Sequence, residues 1–188
     1  PFVLLPDGSF VVIDMVKKRA MRIEGKKRHK LDLFSGPYSF ISAAAAGPEG
    51  NIWVFDGMER RVLIYSPEGR LLDSVVSVVP QDIPLSPFSM DVYPDGSFVL
   101  FSSGELWKFR KNGEAAWRLS ALQGEPLSQT MSVALDKRKG IIYLTDVMGR
   151  RILKLLDAGY AGQQGISDPF DDEVIALTRK IFQNPDDT

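Results

Sequence analysis

The sequence of 188 residues predicts an all-β fold, four small antiparallel sheets standing radially around one axis, followed by a C-terminal α-helix. Three observations predict it. First, a turn tripeptide recurs as Pro6-Asp7-Gly8, Pro48-Glu49-Gly50, Pro94-Asp95-Gly96 and, more loosely, Lys137-Arg138-Lys139-Gly140. The glycines stand 42, 46 and 44 residues apart, too far for one hairpin and right for a unit of about four short strands. Second, the chain after each glycine reads SFVVID, NIWVFD, SFVLFS and IIYLTD, β-branched and aromatic on both parities. A sheet with one wet face would alternate apolar with polar, so these strands are buried on both faces. Third, Asp14, Asp56, Ser102 and Asp146 each stand six residues after the glycine, and five residues beyond the aspartates come Arg19, Arg61 and Arg151.

Each unit therefore reads as inner strand, turn, second strand, Asp-to-Arg turn, third strand, Gly turn and fourth strand. In the first unit the inner strand opens at Pro1, SFVVID and RAMRI follow, and His29 falls in the turn between the third and fourth strands. In the second, Ala43 to Ala46 fit an inner strand crowded by the axis; a helix has little room between Pro37 and Pro48. NIWVFD, RVLIY and the turn at Gly69 complete it. The third unit has lost both Asp and Arg but keeps its turn at Gly113, and the fourth ends at Gly159 without supplying a fourth strand. Phe10, Val12, Ile52, Val54, Phe98, Leu100, Ile142 and Leu144 are expected to pack sheet against sheet, with Val11, Trp53, Val99 and Tyr143 on the opposite faces. Only a radial stack, a β-propeller of four-stranded antiparallel blades, buries both faces of every unit. The blades occupy residues 1–159, and 160–188 form a linker and an amphipathic helix.

With Pro37, Pro87 and Pro126 at the lead-ins, then the Gly, the Asp, the Arg and the closing Gly, the pattern resembles the NHL repeat of β-propellers. The resemblance covers roughly residues 1–159 and is best at 37–74 and 126–159; the first copy loosens after Arg19. NHL-like propellers usually carry six blades, so the resemblance implies either part of a larger ring or a compact four-bladed form. From Ser167 the signals turn helical. Ser167 or Asp168 serves as N-cap, Pro169 opens the first turn, and Asp171, Asp172 and Glu173 suit the positive end of the dipole. Phe170, Val174, Leu177 and Ile181 form one apolar stripe. KIFQNPDDT resembles the junction between tetratricopeptide repeats, which implies a helical array beyond it; the alternative is a terminal helix covering an exposed blade edge.

Composition narrows the chemistry. With no cysteine there is no disulfide framework, thiolate zinc site or cysteine nucleophile, and any histidine chemistry must use His29. His29 lies among Lys26, Lys27, Arg28 and Lys30 with only Asp32 nearby, so no catalytic or metal role is expected of it. The pairs Asp14 and Arg19, Asp56 and Arg61, and Asp146 and Arg151 recur at one turn, and are read as structural: a carboxylate capping backbone N–H groups with an arginine pinning it. Residues 17–30 carry a local charge of +7 within a chain of net −1. That segment could suit nucleic acid or an anionic surface, but a whole strand, Arg19 to Ile23, separates its halves, and nucleic acid is not the expected partner. The inner strands offer Asp91 as their one carboxylate, which would be the metal ligand or general base of a hydrolase-like or lactonase-like propeller. Calcium wants six to eight oxygens, so no metal and no cofactor is expected.

The leading expectation is a non-enzymatic protein-binding scaffold. In a propeller the turns between second and third strands share one face with the loops that lead into each inner strand. That tip face would carry Met15, Lys17 and Lys18; Met58, Glu59 and Arg60; Met148 and Arg150; and Tyr38, Ile83, Leu85 and Phe88 from the loops. Methionines, aromatics and arginines are the residue types that anchor protein interfaces. No apolar run approaches the length of a membrane span, so a soluble protein is expected. The sequence leaves the compartment and the oligomeric state unread, and an extracytoplasmic setting is compatible with it.

Overall fold

The computed structural model describes residues 1–34, 40–75, 89–122, 125–127, 130–146 and 151–163. Three sheets of four strands and one of three form a four-bladed propeller arrangement. The first blade holds β1 (Phe2–Leu4), β2 (Phe10–Asp14), β3 (Arg19–Glu24) and β4 (Lys27–Leu31); the second holds β5 (Ile41–Ala46), β6 (Ile52–Asp56), β7 (Arg61–Tyr65) and β8 (Leu71–Val75). The third holds β9 (Ser89–Val92), β10 (Phe98–Ser102), β11 (Glu105–Phe109) and β12 (Ala115–Leu119). A small hairpin of β13 (Ala121–Leu122) and β14 (Glu125–Pro126) leads to the fourth blade, β15 (Thr130–Asp136), β16 (Ile141–Asp146) and β17 (Arg151–Leu156). Every pairing is antiparallel between chain neighbours. The first turn of each blade is sharp because its glycine adopts positive φ, from 66° at Gly140 to 83° at Gly96, a region a side chain would strain.

The radial order follows from burial on both faces. Inner strands of successive blades pack together, β1 on β5, β5 on β9 and β9 on β15. Between the first two blades Val3, Val11, Ile13 and Ala20 meet Ile52, Val54, Leu63 and Tyr65. Alternate residues of the second blade, Trp53, Phe55, Val62 and Ile64, meet Met90, Phe98, Leu100 and Trp107 of the third. The third in turn offers Val99, Phe101 and Leu106 to Val133, Ile142, Leu144 and Leu155 of the fourth. Each fully buried side chain of this size contributes about 1.5–3 kcal/mol. The alanines of β5 leave room at the axis, and Gly47 leaves more. A Cβ there would stand 2.1 Å from the indole Nε1 of Trp53, so any side chain would push Trp53 out of the core between blades two and three.

Four expectations need correction. Phe10 and Val12 do not pack against another sheet: they are 45% and 36% exposed, because among the described residues no blade stands against that side of the first. His29 lies in the middle of β4 opposite Arg22, since the chain already turns at Gly25, whose φ is 55°. Gly159 is no β-turn; it lies in a short helix, α1 (Ala158–Gln163), started when the Asp157 carboxylate accepts the Tyr160 N–H at 3.2 Å. Tyr143 is only half-buried on the open side of the fourth blade. The expected tail helix and the tetratricopeptide-like junction lie outside the described residues.

Candidate functional site

The tip face is built on the Asp-to-Arg turns. Asp56 is fully buried, and its Oδ1 accepts the backbone N–H groups of Phe40 at 2.9 Å, Met58 at 3.2 Å and Glu59 at 3.4 Å. The Phe40 carbonyl accepts the N–H of Gly57 at 2.8 Å. One carboxylate thus ties the turn of blade two to the residue leading into its inner strand. Arg61 stands 3.9 Å off, and its buried Nε has no hydrogen-bond partner, so backbone donors rather than a guanidinium fork hold this acid. On the surface the same stitch presents Phe40, 51% exposed, beside Met58, 58% exposed. Phe40 was not singled out by the sequence, because its exposure depends on a hydrogen bond to an acid sixteen residues away.

In blade one, Asp14 Oδ1 accepts the Lys17 N–H at 3.0 Å. Val16, Lys17, Lys18 and Arg19 are exposed there, and Met15 is half-buried against the first core. Arg60 was expected at the tip but is only 8% exposed with a φ of 53°, so its side chain is not offered to a partner. Asp146 and Arg151 sit opposite each other in the register of β16 and β17. Tyr38, Ile83, Leu85, Phe88, Met148 and Arg150 lie outside the described residues.

Nearer the axis, Asp91 has its partners already. Its Oδ1 is 3.1 Å from the Lys137 Nζ and accepts the Val92 N–H at 2.7 Å, while Oδ2 accepts the Leu135 N–H at 2.9 Å. Lys137 also donates to the Ala46 carbonyl at 3.1 Å, which links three blades through one ammonium. Among the described residues no three His, Cys, Asp or Glu side chains gather as a metal site would require. Beside Lys137 a cleft of about 560 Å³ opens on the face of the Pro-Asp-Gly turns, lined by Leu4, Ala46, Pro48, Glu49 and Val92 among others. It is mostly apolar and lies on the face opposite the tips.

A polar cluster that the sequence did not flag sits between blades three and four. Buried Lys108 places its Nζ 2.5 Å from Asp157 Oδ2 and 4.8 Å above the Tyr93 ring, which packs on Tyr160 at 4.3 Å between centroids. Burial, then the neighbouring Asp157 charge, pushes the Tyr93 hydroxyl far above the usual phenol range, and burial raises Tyr160 too. The basic segment is divided: Lys17 and Lys18 are at a tip, whereas Lys27, Arg28 and Lys30 lie on β4, beyond β3. Arg22 is taken up by Asp7 and by the Ser9 hydroxyl at 3.0 Å. Hydrogen bonds from Ser9, followed by the Arg22 charge, hold the Asp7 carboxyl below its ordinary range.

No family model matches the chain, and no curated protein matches it. Solved structures do. A catalytically inactive histidine-to-alanine variant of virginiamycin B lyase from Staphylococcus aureus superposes with a TM-score of 0.52 at 12% identity, over 82% of this chain and 54% of that one. A protein of unknown function from Bacteroides caccae gives 0.51 at 15% identity, over 83% and 60%. Hydrazine synthase from Kuenenia stuttgartiensis gives 0.56 at 12% identity, over 85% and 46%. The chain spans about half the length of these proteins, and a likeness at such identities shows the fold alone.

Proposed function

We propose that this chain is a non-enzymatic protein-binding propeller of NHL type, working through its tip face. The observation that supports this most is the exposed pair Phe40 and Met58, fixed on one buried carboxylate. A rigidly held aromatic beside a flexible thioether has little ordering entropy left to lose on binding, which is how interface anchors gain affinity. Val16, Lys17 and Lys18 continue that face on blade one, so the partner is a protein with an apolar anchor point and an acidic rim. Nucleic acid fits less well, because the cations of residues 17–30 divide between a tip and an outer strand.

The enzyme reading has weaker support. The similar lyase is inactive once a histidine is replaced, whereas the single histidine here is exposed on the outermost strand of blade one. Asp91, the other candidate, is neutralised by Lys137.

The test compares proteins retained from a cell extract by the immobilised chain and by a Phe40→Asp, Met58→Asp variant, with mass-spectrometric identification. The double variant is expected to lose specific partners while keeping its unfolding temperature. The same retained set from both proteins would remove the tip face from consideration.

A further inference from the structure

The four blades share a register that makes their faces directly comparable. Two and four residues after the turn glycine stand Ile52 and Val54, Phe98 and Leu100, and Ile142 and Leu144, all buried in a core shared with the preceding blade. The same positions of blade one are Phe10 and Val12, equally apolar and open to water. Phe2 and Leu4 on β1 and Met21 on β3 join them on that face, all exposed. Monomeric proteins seldom leave a contiguous apolar sheet face uncovered.

We infer that this face of blade one is an inter-blade face, and that its occupant is a further four-stranded propeller blade standing before blade one in the ring. The interfaces already present define that occupant's chemistry. Each covers such a face with the apolar residues three and five positions after a turn glycine: Val11 and Ile13, Trp53 and Phe55, Val99 and Phe101. Blade four is a poor substitute. At the equivalent positions it carries Tyr143 and Thr145, with exposed Ile152 and Lys154 on the next strand. There the Ser132 and Thr145 hydroxyls bond to each other at 3.1 Å, and the Lys154 ammonium stands 5.8 Å from the Tyr143 ring centre. That side suits water. The two end faces both remain exposed and therefore do not cover each other. The inference is independent of the tip face and of whatever binds there.

The register also supplies the experiment. Phe2 lies opposite Val12 as Met90 lies opposite Leu100, so Pro1 is equivalent to Ser89. A second copy of residues 41–88 placed directly before Pro1 therefore delivers a blade with the spacing it has in the chain. The extended protein is expected to stay monomeric and to unfold at least about 5 °C higher. Leu4→Lys with Phe10→Lys should abolish this gain in the extended protein, while changing the unfolding temperature of the original chain little. No gain on extension overturns the inference. So does an original chain that sediments as a dimer dissociated by the two lysines, which assigns the face to a second copy. A several-fold rise in binding of an environment-sensitive apolar dye by the original chain on deleting residues 164–188 likewise overturns it, assigning the face to the tail.

Discussion

Asp56 and Asp157 are both buried acids, and they are stabilised in opposite ways. Asp56 accepts backbone N–H groups of its own blade, with the Arg61 guanidinium 3.9 Å away. Asp157 is held by an ammonium from the neighbouring blade, 49 residues earlier in the chain. The first acid has a counterpart at Asp14, whose carboxylate caps the equivalent turn of blade one; among the described residues the second has none, because the blade three to blade four interface occurs once. Repetition in this sequence marks what a blade does for itself. The unrepeated buried charge marks what joins one blade to the next.

The largest test of that distinction is Asp157→Ala, which leaves the Lys108 ammonium buried against two aromatic faces and removes the helix cap as well. A loss of about 3–5 kcal/mol in urea unfolding is expected. Lys108→Met combined with Asp157→Leu should recover most of it, since replacing both charges removes the desolvation cost. A loss below about 1 kcal/mol in the single variant would mean that the pair does not lock the interface. Asp56→Ala comes next, at about 1–3 kcal/mol, for the orphaned N–H groups of the turn and lead-in. Asp14→Ala should cost less than about 1 kcal/mol, because half-buried Asp14 caps one N–H in a solvated turn. Equal losses at the two turns would show that the link to Phe40 contributes nothing.

The smallest effect lies at Tyr93. Its folded-state ionisation is pushed above the unfolded value of about 10, so its contribution is complete below pH 10 and falls as the pH rises further. Urea midpoints should therefore decline from pH 9 to 11. Tyr93→Phe should flatten part of that decline and cost under about 1 kcal/mol at pH 7, since the buried hydroxyl has no hydrogen-bond partner. A decline of the same steepness in Tyr93→Phe would place its origin elsewhere.

What the sequence made legible was the part governed by local rules. Gly8, Gly50, Gly96 and Gly140 take positive φ, the strands after them follow, and the inner alanines fall in β5. Burial of Trp53 and Val54 on opposite faces of one strand was readable because both parities were apolar. The rest depended on neighbours far along the chain. Phe10 has the same character as Ile52, and it is wet because among the described residues no blade stands beside it. Lys108, within ELWKF, looks like an ordinary surface lysine until Asp157 arrives from the next blade. Arg60 reads as a tip cation, yet its backbone takes a left-handed turn that carries the side chain inward. His29 was displaced from its expected turn by a single glycine, Gly25, that closed the hairpin early.

The basic outer strand of blade one also governs how molecules meet. An edge strand offers unpaired N–H and C=O groups as a template for strand addition by another chain. Lys27, Arg28 and Lys30 line β4 on its open side. Two such edges approaching side by side must bring six positive charges within a few ångströms, well inside the roughly 8 Å over which physiological salt screens them. β8, with exposed Leu71 and Leu72, has no such repulsion. Fibre-like growth is thus opposed at the first blade of the chain and left to other means at the second.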